Sequence, residues 1–311
     1  MNTFFLDRLN SEPHALAFAG QSTPWPVALA DQSANPALDE ALHTHAAAAQ
    51  ALLYPVSAEL LATTGRPVDL FGFEPNPARL GAAAAASASV PGIALTQLGA
   101  LLDAAALGYN PAQAKPVAVL GHSQGVLAVH MVQAICEAGS IDAAAAKIDE
   151  ILAIATLIGV AGTRQARQLG LAARHGEATP MLSVKDITRA QVDALIERVD
   201  GARGPIAVAV TNSATHYVLS GYPEDLAAFG VEVAKEHKRQ AKLREEKVRG
   251  GRVFDPTLEY LDVTLPFHSP LMADAVSQAV AWAEACGINA DHARELAAEV
   301  LLNHVDWAAR V

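Results

Sequence analysis

The sequence predicts an α/β fold: an α/β-hydrolase-like core on a parallel sheet, with an inserted ferredoxin-like subdomain. Three observations carry this. The motif Gly121-His122-Ser123-Gln124-Gly125 stands between an apolar run at 116–120 and a helical run at 126–131, the strand, sharp turn and helix of a nucleophile elbow. From Pro180 onward, short strand-like runs alternate with amphipathic helices in the order βαββαβ, the split-βαβ arrangement. The length, 311 residues with 51% hydrophobic and 18% charged, suits one large α/β unit carrying a smaller one.

The elements follow in order. Residues 14–19 read as a short buried strand ending at the turn cluster Gly20-Gln21-Ser22-Thr23-Pro24. Helical patterns fill 37–64, and a Pro- and Gly-punctuated segment, 65–77, breaks them. Ser89-Val90-Pro91 has the look of a helix start with proline in the first turn. The elbow strand comes next, then a helix over 141–162 that is nearly free of charge after Glu150 and so expected to be buried on most sides. In the second half the expected elements are a strand at 181–184, a helix at 189–199, strands at 206–210 and 216–220, and a helix at 224–237. A closing strand within 258–265 delivers the chain to Pro266-Phe267-His268-Ser269-Pro270. The expected core is therefore 1–175 with 251–311, and the expected small subdomain 176–250. No repeat of 20 to 50 residues is present.

The net charge of −11, from 22 basic and 33 acidic residues, argues against general nucleic-acid binding. Basic residues nevertheless crowd between Lys235 and Arg252. That stretch is either a solvated helix face of mixed charge or an anion-docking segment. Only two cysteines occur, Cys136 and Cys286, each in an apolar helical pattern. A disulfide framework is not implied, and a reducing cytoplasm is the expected compartment. Neither an export signal nor a spanning segment is expected, and the alanine runs at 46–49 and 82–86 read as helix formers.

A serine hydroxyl is a poor nucleophile at neutral pH and needs an adjacent base. Among 11 histidines, His268 is the best candidate for Ser123: Pro266 and Pro270 stiffen its loop where the small subdomain returns the chain. The alternative is a loop histidine with a structural hydrogen bond, as an ordinary tight βα turn is the alternative for the motif. An oxyanion hole needs two donors; the Gln124 amide follows the nucleophile, and Gly20-Gln21 ends the first strand at the matching edge. Asp255 and Asp262 precede the histidine, but the residues leave the third, acidic member undecided. No metal-ligand spacing or phosphate-loop lysine is present.

Four features in order, Phe18-Ala19-Gly20-Gln21, the Gly-His-Ser-Gln-Gly motif, Asn212 through Ser220-Gly221, and Phe267-His268-Ser269, resemble the acyl-CoA:acyl-carrier-protein transacylases of fatty-acid and polyketide synthesis. The chain is most similar to the acetyltransferase domain of actinobacterial type I fatty acid synthase, along nearly its whole length. The resemblance implies that Ser123 takes an acetyl group from acetyl-CoA and passes it to the phosphopantetheine thiol of an acyl carrier protein, priming fatty acid synthesis without a covalently bound cofactor or a metal. His268 would be the base, held by a backbone carbonyl rather than an acid, and the amides of Gln21 and Gln124 the oxyanion hole. Ile158 stands where malonyl-specific members carry an arginine, and Phe267 matches a residue lining the acyl pocket, so acetyl is favoured over malonyl. Lys238, Arg239 and Lys242 become candidate contacts for coenzyme A phosphates or an acidic carrier.

Two departures stand out. Gln21-Ser22-Thr23 differs from the usual Gly-Gln-Gly-X-Gln, and the sequence ends at Val311 before the Gly-Pro-Gly segment expected to orient the histidine. The chain thus reads as a piece of a longer, oligomeric multienzyme. Competing readings are a malonyl or longer-acyl transferase, a serine hydrolase or thioesterase releasing the acyl group to water, and an inactive scaffold.

Overall fold

A computed structural model describes residues 8–20, 24–69, 71, 85–171, 178–200, 202–245 and 254–306. The chain divides into two compact units, Met1–Arg164 with Ala275–Val300, and Gln165–Asp274 with Leu301–Val311.

In the first unit β1 (Ala15–Phe18) and β2 (Ala118–Gly121) pair in parallel, from Ala15 opposite Ala118 to Phe18 opposite Gly121. Both strands therefore end at one sheet edge, which brings Gly20 and the residues after Gly121 to the same place. Among the described residues, the parallel sheet is these two strands. Helices supply most of this unit: α1 (Trp25–Ser33), α2 (Pro36–Leu52), α3 (Ser57–Thr64), α4 (Ala86–Ala106), α5 (Pro111–Ala114), α6 (Val126–Ala138) and α7 (Ala145–Gln168). Among the described residues the last two α-helices are α10 (Ala273–Ala285) and α11 (Ala290–Leu301). α2 starts where local chemistry says it should: the Asn35 side chain accepts from the Ala37 amide, and Pro36 opens the first turn.

The start of α4 differs from expectation. It lies at Ala86, three residues before Ser89, and Pro91 sits inside the helix. The alanines at 86 and 88 carry the helix through, and proline removes a single amide, the one that would bond the Ser87 carbonyl. Thr163 Oγ1 meanwhile accepts from the Ser87 amide at 3.1 Å. Gly92 on α4 faces the Trp25 ring so closely that a Cβ there would stand 2.5 Å from it. By length and composition α4 could cross a membrane, but 72% of its apolar window is buried; Ile93, Leu95 and Leu98 on it belong to the core. α7 is buried through Ile148, Ile151, Ile154 and Ile158. It begins at Ala145 rather than 141, because Ser140 Oγ accepts from the Ala143 amide and 141–144 form a turn.

The second unit contains β3 (Met181–Lys185), α8 (Arg189–Ile196), β4 (Ala207–Ser213), β5 (His216–Ser220), α9 (Pro223–Glu245) and β6 (Thr257–Tyr260), with β7 (Val305–Asp306) added. The sheet order is β6-β3-β5-β4-β7; β3 is antiparallel to β5 and β6, β4 is antiparallel to β5, and β7 is parallel to β4. A capping box between Thr188 and Gln191 starts α8. Leu182, Val184, Tyr217 and Leu219 from the sheet pack with Val192 and Leu195 of α8 and Leu226, Phe229 and Val233 of α9. β6 ends at Tyr260, short of 265, because the Val263 amide turns back onto the Leu261 carbonyl. α9 runs beyond His237 to Glu245. Pairing of β6 with β3 and of β7 with β4 groups 254–274 and 301–306 with this unit, whereas the expected division assigned 251–311 to the core.

Phe229 is completely buried at the centre of this cluster. Phe229→Ala should destabilise the second unit by about 3–5 kcal/mol, read as an earlier urea midpoint for its unfolding.

Candidate active site

The elbow is built by close backbone packing. Gly121 ends β2, Ser123–Gly125 form one 3-10 turn, and α6 begins at Val126. Ser123 takes φ +53, in the left-handed region that a side chain rarely adopts. A Cβ on Gly125 would stand 2.2 Å from the Phe18 carbonyl oxygen, and one on Gly121 would stand 2.5 Å from the Gly125 carbonyl carbon. Neither contact can relax by moving a side chain, since both neighbours are main chain. The His122 amide bonds the Phe18 carbonyl at 2.9 Å and the Gly125 amide bonds the His122 carbonyl at 3.0 Å, which fixes the turn on the end of β1.

The early loop arrives at the same point. A Cβ on Gly20 would meet the His122 carbonyl oxygen at 2.4 Å, Ser123 Cβ at 2.9 Å and the Gln124 nitrogen at 3.2 Å. The structure thus brings Gly20, Ser123 and Gln124 together. Gln97, from buried α4, donates to the Ala19 carbonyl at 2.6 Å and ties down the residue before Gly20. Gln97 was not among the site residues the sequence suggested. Gln124 is fully buried and Ser123 partly exposed. Gln21, the expected second donor, lies outside the described residues, with Ser22 and Thr23.

His268 lies in the second unit, 3% exposed and also left-handed, at φ +57. Its amide donates to the Leu301 carbonyl at 2.8 Å, and its Nδ1 is 2.8 Å from the Asn303 carbonyl oxygen. A carbonyl can only accept, so the proton is on Nδ1 and the lone pair of the neutral ring is on Nε2. The group that meets Nδ1 is thus the Asn303 carbonyl. A backbone carbonyl has no side-chain signature, so nothing in the sequence could mark it. Of the carboxylates considered earlier, Asp255 sits 3.4 Å from His237 and Asp262 is exposed. Phe267 is 2% exposed, its ring centroid 6.3 Å from that of His268. In the first unit Ile158 is fully buried on α7, where the next residue, Gly159, comes so near α4 that a Cβ would stand 2.3 Å from the Ala86 carbonyl oxygen. Among the described residues no group of three or more His, Cys, Asp or Glu is placed to hold a metal ion.

The basic candidates are exposed on α9, but they are not equivalent. Arg239 is held by Glu236 at Nε, 2.9 Å, and again at Nη2, and Arg198 reaches the same carboxylate at 3.0 Å. Arg239 is therefore engaged on its own helix; residues 246–253 of the basic stretch lie outside the described residues. The Arg239 hydrogen bonds hold the Glu236 carboxyl down to about 2, against the opposing effect of its burial. A carboxyl depressed in the folded state stabilises above the ordinary carboxylate range and loses that contribution as pH falls through its folded value. Glu236→Gln should therefore lower the urea midpoint at pH 7, with the difference from wild type shrinking as pH falls from about 4 toward 2. A difference independent of pH would show that the ion pairs do not supply the stability.

Comparison with known proteins adds relatives. Residues 180–260, the segment from β3 to β6, match the family described as the fatty acid synthase central AT domain. The chain is 27% identical over 209 residues to the fatty acid synthase subunit beta of Schizosaccharomyces pombe, covering 60% of this chain and 10% of that one. It is 30% identical over 175 residues to fatty acid synthase 2 of Mycosarcoma maydis, covering 53% of this chain and 5% of that one. The chain thus spans a tenth or less of these fungal proteins. Among solved structures it is similar to a malonyl CoA-acyl carrier protein transacylase from Clostridium perfringens, with TM-score 0.55 and 16% identity over 94% of this chain and 80% of that one. It is equally similar to the MCAT of Mycobacterium tuberculosis, with TM-score 0.55 and 19% identity over 94% and 83% of the two chains. These matches bear out the resemblance to fatty acid synthase acyltransferase domains, and the fold is the α/β fold of the transacylases.

Proposed function

We propose that the chain is an acyltransferase module that moves an acetyl group from acetyl-CoA, through a seryl ester on Ser123, to the phosphopantetheine thiol of an acyl carrier protein in a fatty acid synthase. The Ser123 hydroxyl attacks the thioester carbonyl while His268 Nε2 takes its proton. The tetrahedral intermediate places its negative oxygen toward the amides of Gln124 and Gln21, and collapse expels the coenzyme A thiolate, which recovers the proton from His268. The second half repeats these steps with the carrier thiol as nucleophile and Ser123 as leaving group. Coenzyme A and the carrier arm are substrates, so the module has no resident cofactor. Lys238 and Lys242 would meet anionic phosphates or an acidic carrier surface.

The observation that carries this reading over hydrolysis is what His268 Nδ1 meets: a neutral backbone carbonyl, Asn303, instead of a carboxylate. A carboxylate there would stabilise the imidazolium and strengthen the base toward water. A carbonyl fixes the tautomer without that charge, which suits an ester that must wait for a thiol. The preference for acetyl rests on Ile158: fully buried and apolar, it offers no partner to a malonyl carboxylate, whose burial unpaired would cost several kcal/mol. A cytoplasmic, multienzyme setting fits the free thiols of Cys136 and Cys286 and the matches to synthase chains.

Incubation with labelled acetyl-CoA should leave one label per wild-type chain and none on Ser123→Ala, with release accelerated by a carrier thiol. Equal labelling of both proteins would overturn the assignment, and rapid free acetate without any effect of the thiol would favour the hydrolase. Ile158→Arg should shift the ratio of acetyl to malonyl labelling toward malonyl by about tenfold or more, since a paired carboxylate replaces an unpaired one. An unchanged ratio in a folded variant would remove Ile158 from the acyl pocket.

A further inference from the structure

The Asn303 carbonyl defines the His268 tautomer, so whatever places that carbonyl also places the base. Asn303 and His304 are both exposed, and core packing does not hold them. β7, which follows, is only two residues long, pairing Val305 with Val210 and Asp306 with Thr211. So short a parallel ladder is a weak anchor by itself. The ring of His304 supplies what it lacks. Nδ1 of His304 is 2.8 Å from the Val208 carbonyl oxygen and therefore donates to it, and Nε2 is 3.2 Å from Thr211 Oγ1, whose hydroxyl donates to the lone pair left there. Both partners belong to β4, on either side of its register shift between Val208 and Val210. The carbonyl at 208 is thus fastened just where that irregularity lies.

We propose that His304 is a positioning residue for the His268 base. It pins the 303–306 segment to β4, and thereby holds the Asn303 carbonyl against His268 Nδ1. The order of bonds runs from Val208 and Thr211 to the His304 ring, along one peptide to the Asn303 carbonyl, and across to His268. Leu301, which accepts the His268 amide, is the other end of the same short segment. Two bonds to the carbonyls of 301 and 303 therefore set the base, and two from the His304 ring to β4 hold that segment. The inference rests on the acyl-transfer reading for its consequence to rate, but not for its consequence to the ring proton.

The test uses the full chain with ring-15N-labelled histidine, the His268 resonances being assigned as those missing from His268→Ala. In wild type, His268 should show a single neutral tautomer with its proton on Nδ1. In His304→Ala a second tautomer should appear, and the rate of Ser123 acetylation should fall between about 10- and 100-fold with KM for acetyl-CoA unchanged. His304→Asn keeps a donor near the Nδ1 position and should recover the single tautomer and most of the rate. Thr211→Val removes only the weaker bond and should give an intermediate tautomer ratio; it serves with His304→Asn if the alanine variant fails to fold. A single Nδ1 tautomer in folded His304→Ala, or equal tautomer mixing in His304→Asn and Thr211→Val, would overturn the proposal. If wild type shows the single tautomer yet takes no label on Ser123, acyl transfer fails as a reading while the His304 clamp stands.

Discussion

The contact between the Gly125 backbone and the Phe18 carbonyl, too close for any Cβ, is the constraint on which the first unit's candidate site depends. It locks the turn after β2 against the end of β1. From that contact follow the His122 bond to Phe18, the left-handed φ of Ser123 and the start of α6 at Val126. A left-handed serine is strained by about 1–3 kcal/mol, and such strain persists only where the surroundings over-determine it. Here they do, because the turn has main chain on both sides and Gly20 closes it from the early loop.

The second unit repeats the device with different materials. His268 is also left-handed, and its amide and ring are both taken by carbonyls of 301–303. Only two other non-glycine residues among those described have positive φ, Lys115 and Asp186. Each of those lies in a turn, at the C-cap of α5 or just past β3. The two residues singled out for chemistry are thus also two of the four whose backbones are held uphill. That agreement comes from geometry alone and owes nothing to the motif that first drew attention to Ser123.

Much of this was legible in the sequence, and the part that was not has a common cause. The elbow could be read because all its determinants lie within a dozen residues: a strand, two glycines, a serine and a helix. His268 could be read because two prolines fence it. The βαββα alternation after Pro180 was visible as periodicity, and the strand at 216–220 emerged unchanged. What escaped depends on pairing over long separations. Asn303 acts through its carbonyl, and the residues that follow it pair as β7 with β4, some hundred residues earlier in the chain. The same pairing, with that of β6 beside β3, moved 254–274 out of the expected core. The α4 start was misplaced for a different reason: Pro91 resembled a first-turn proline, but alanines ahead of it extend the helix and the burial of its far side repays one lost bond.

The basic stretch shows how charge counted along a sequence can mislead about charge available in space. Glu236 is 7% exposed on α9, and so buried a carboxylate must be compensated. It draws Arg239 from three residues on and Arg198 from the turn after α8. Arg239, which looks like part of a docking surface in one dimension, is thereby held on its own helix, and Arg198 fastens α9 to the segment after α8. At His268 a buried imidazole instead donates from Nδ1 to a backbone carbonyl. The buried charge of Glu236 is therefore spent on ion pairs, while the Nδ1 proton of the candidate base goes to a backbone carbonyl.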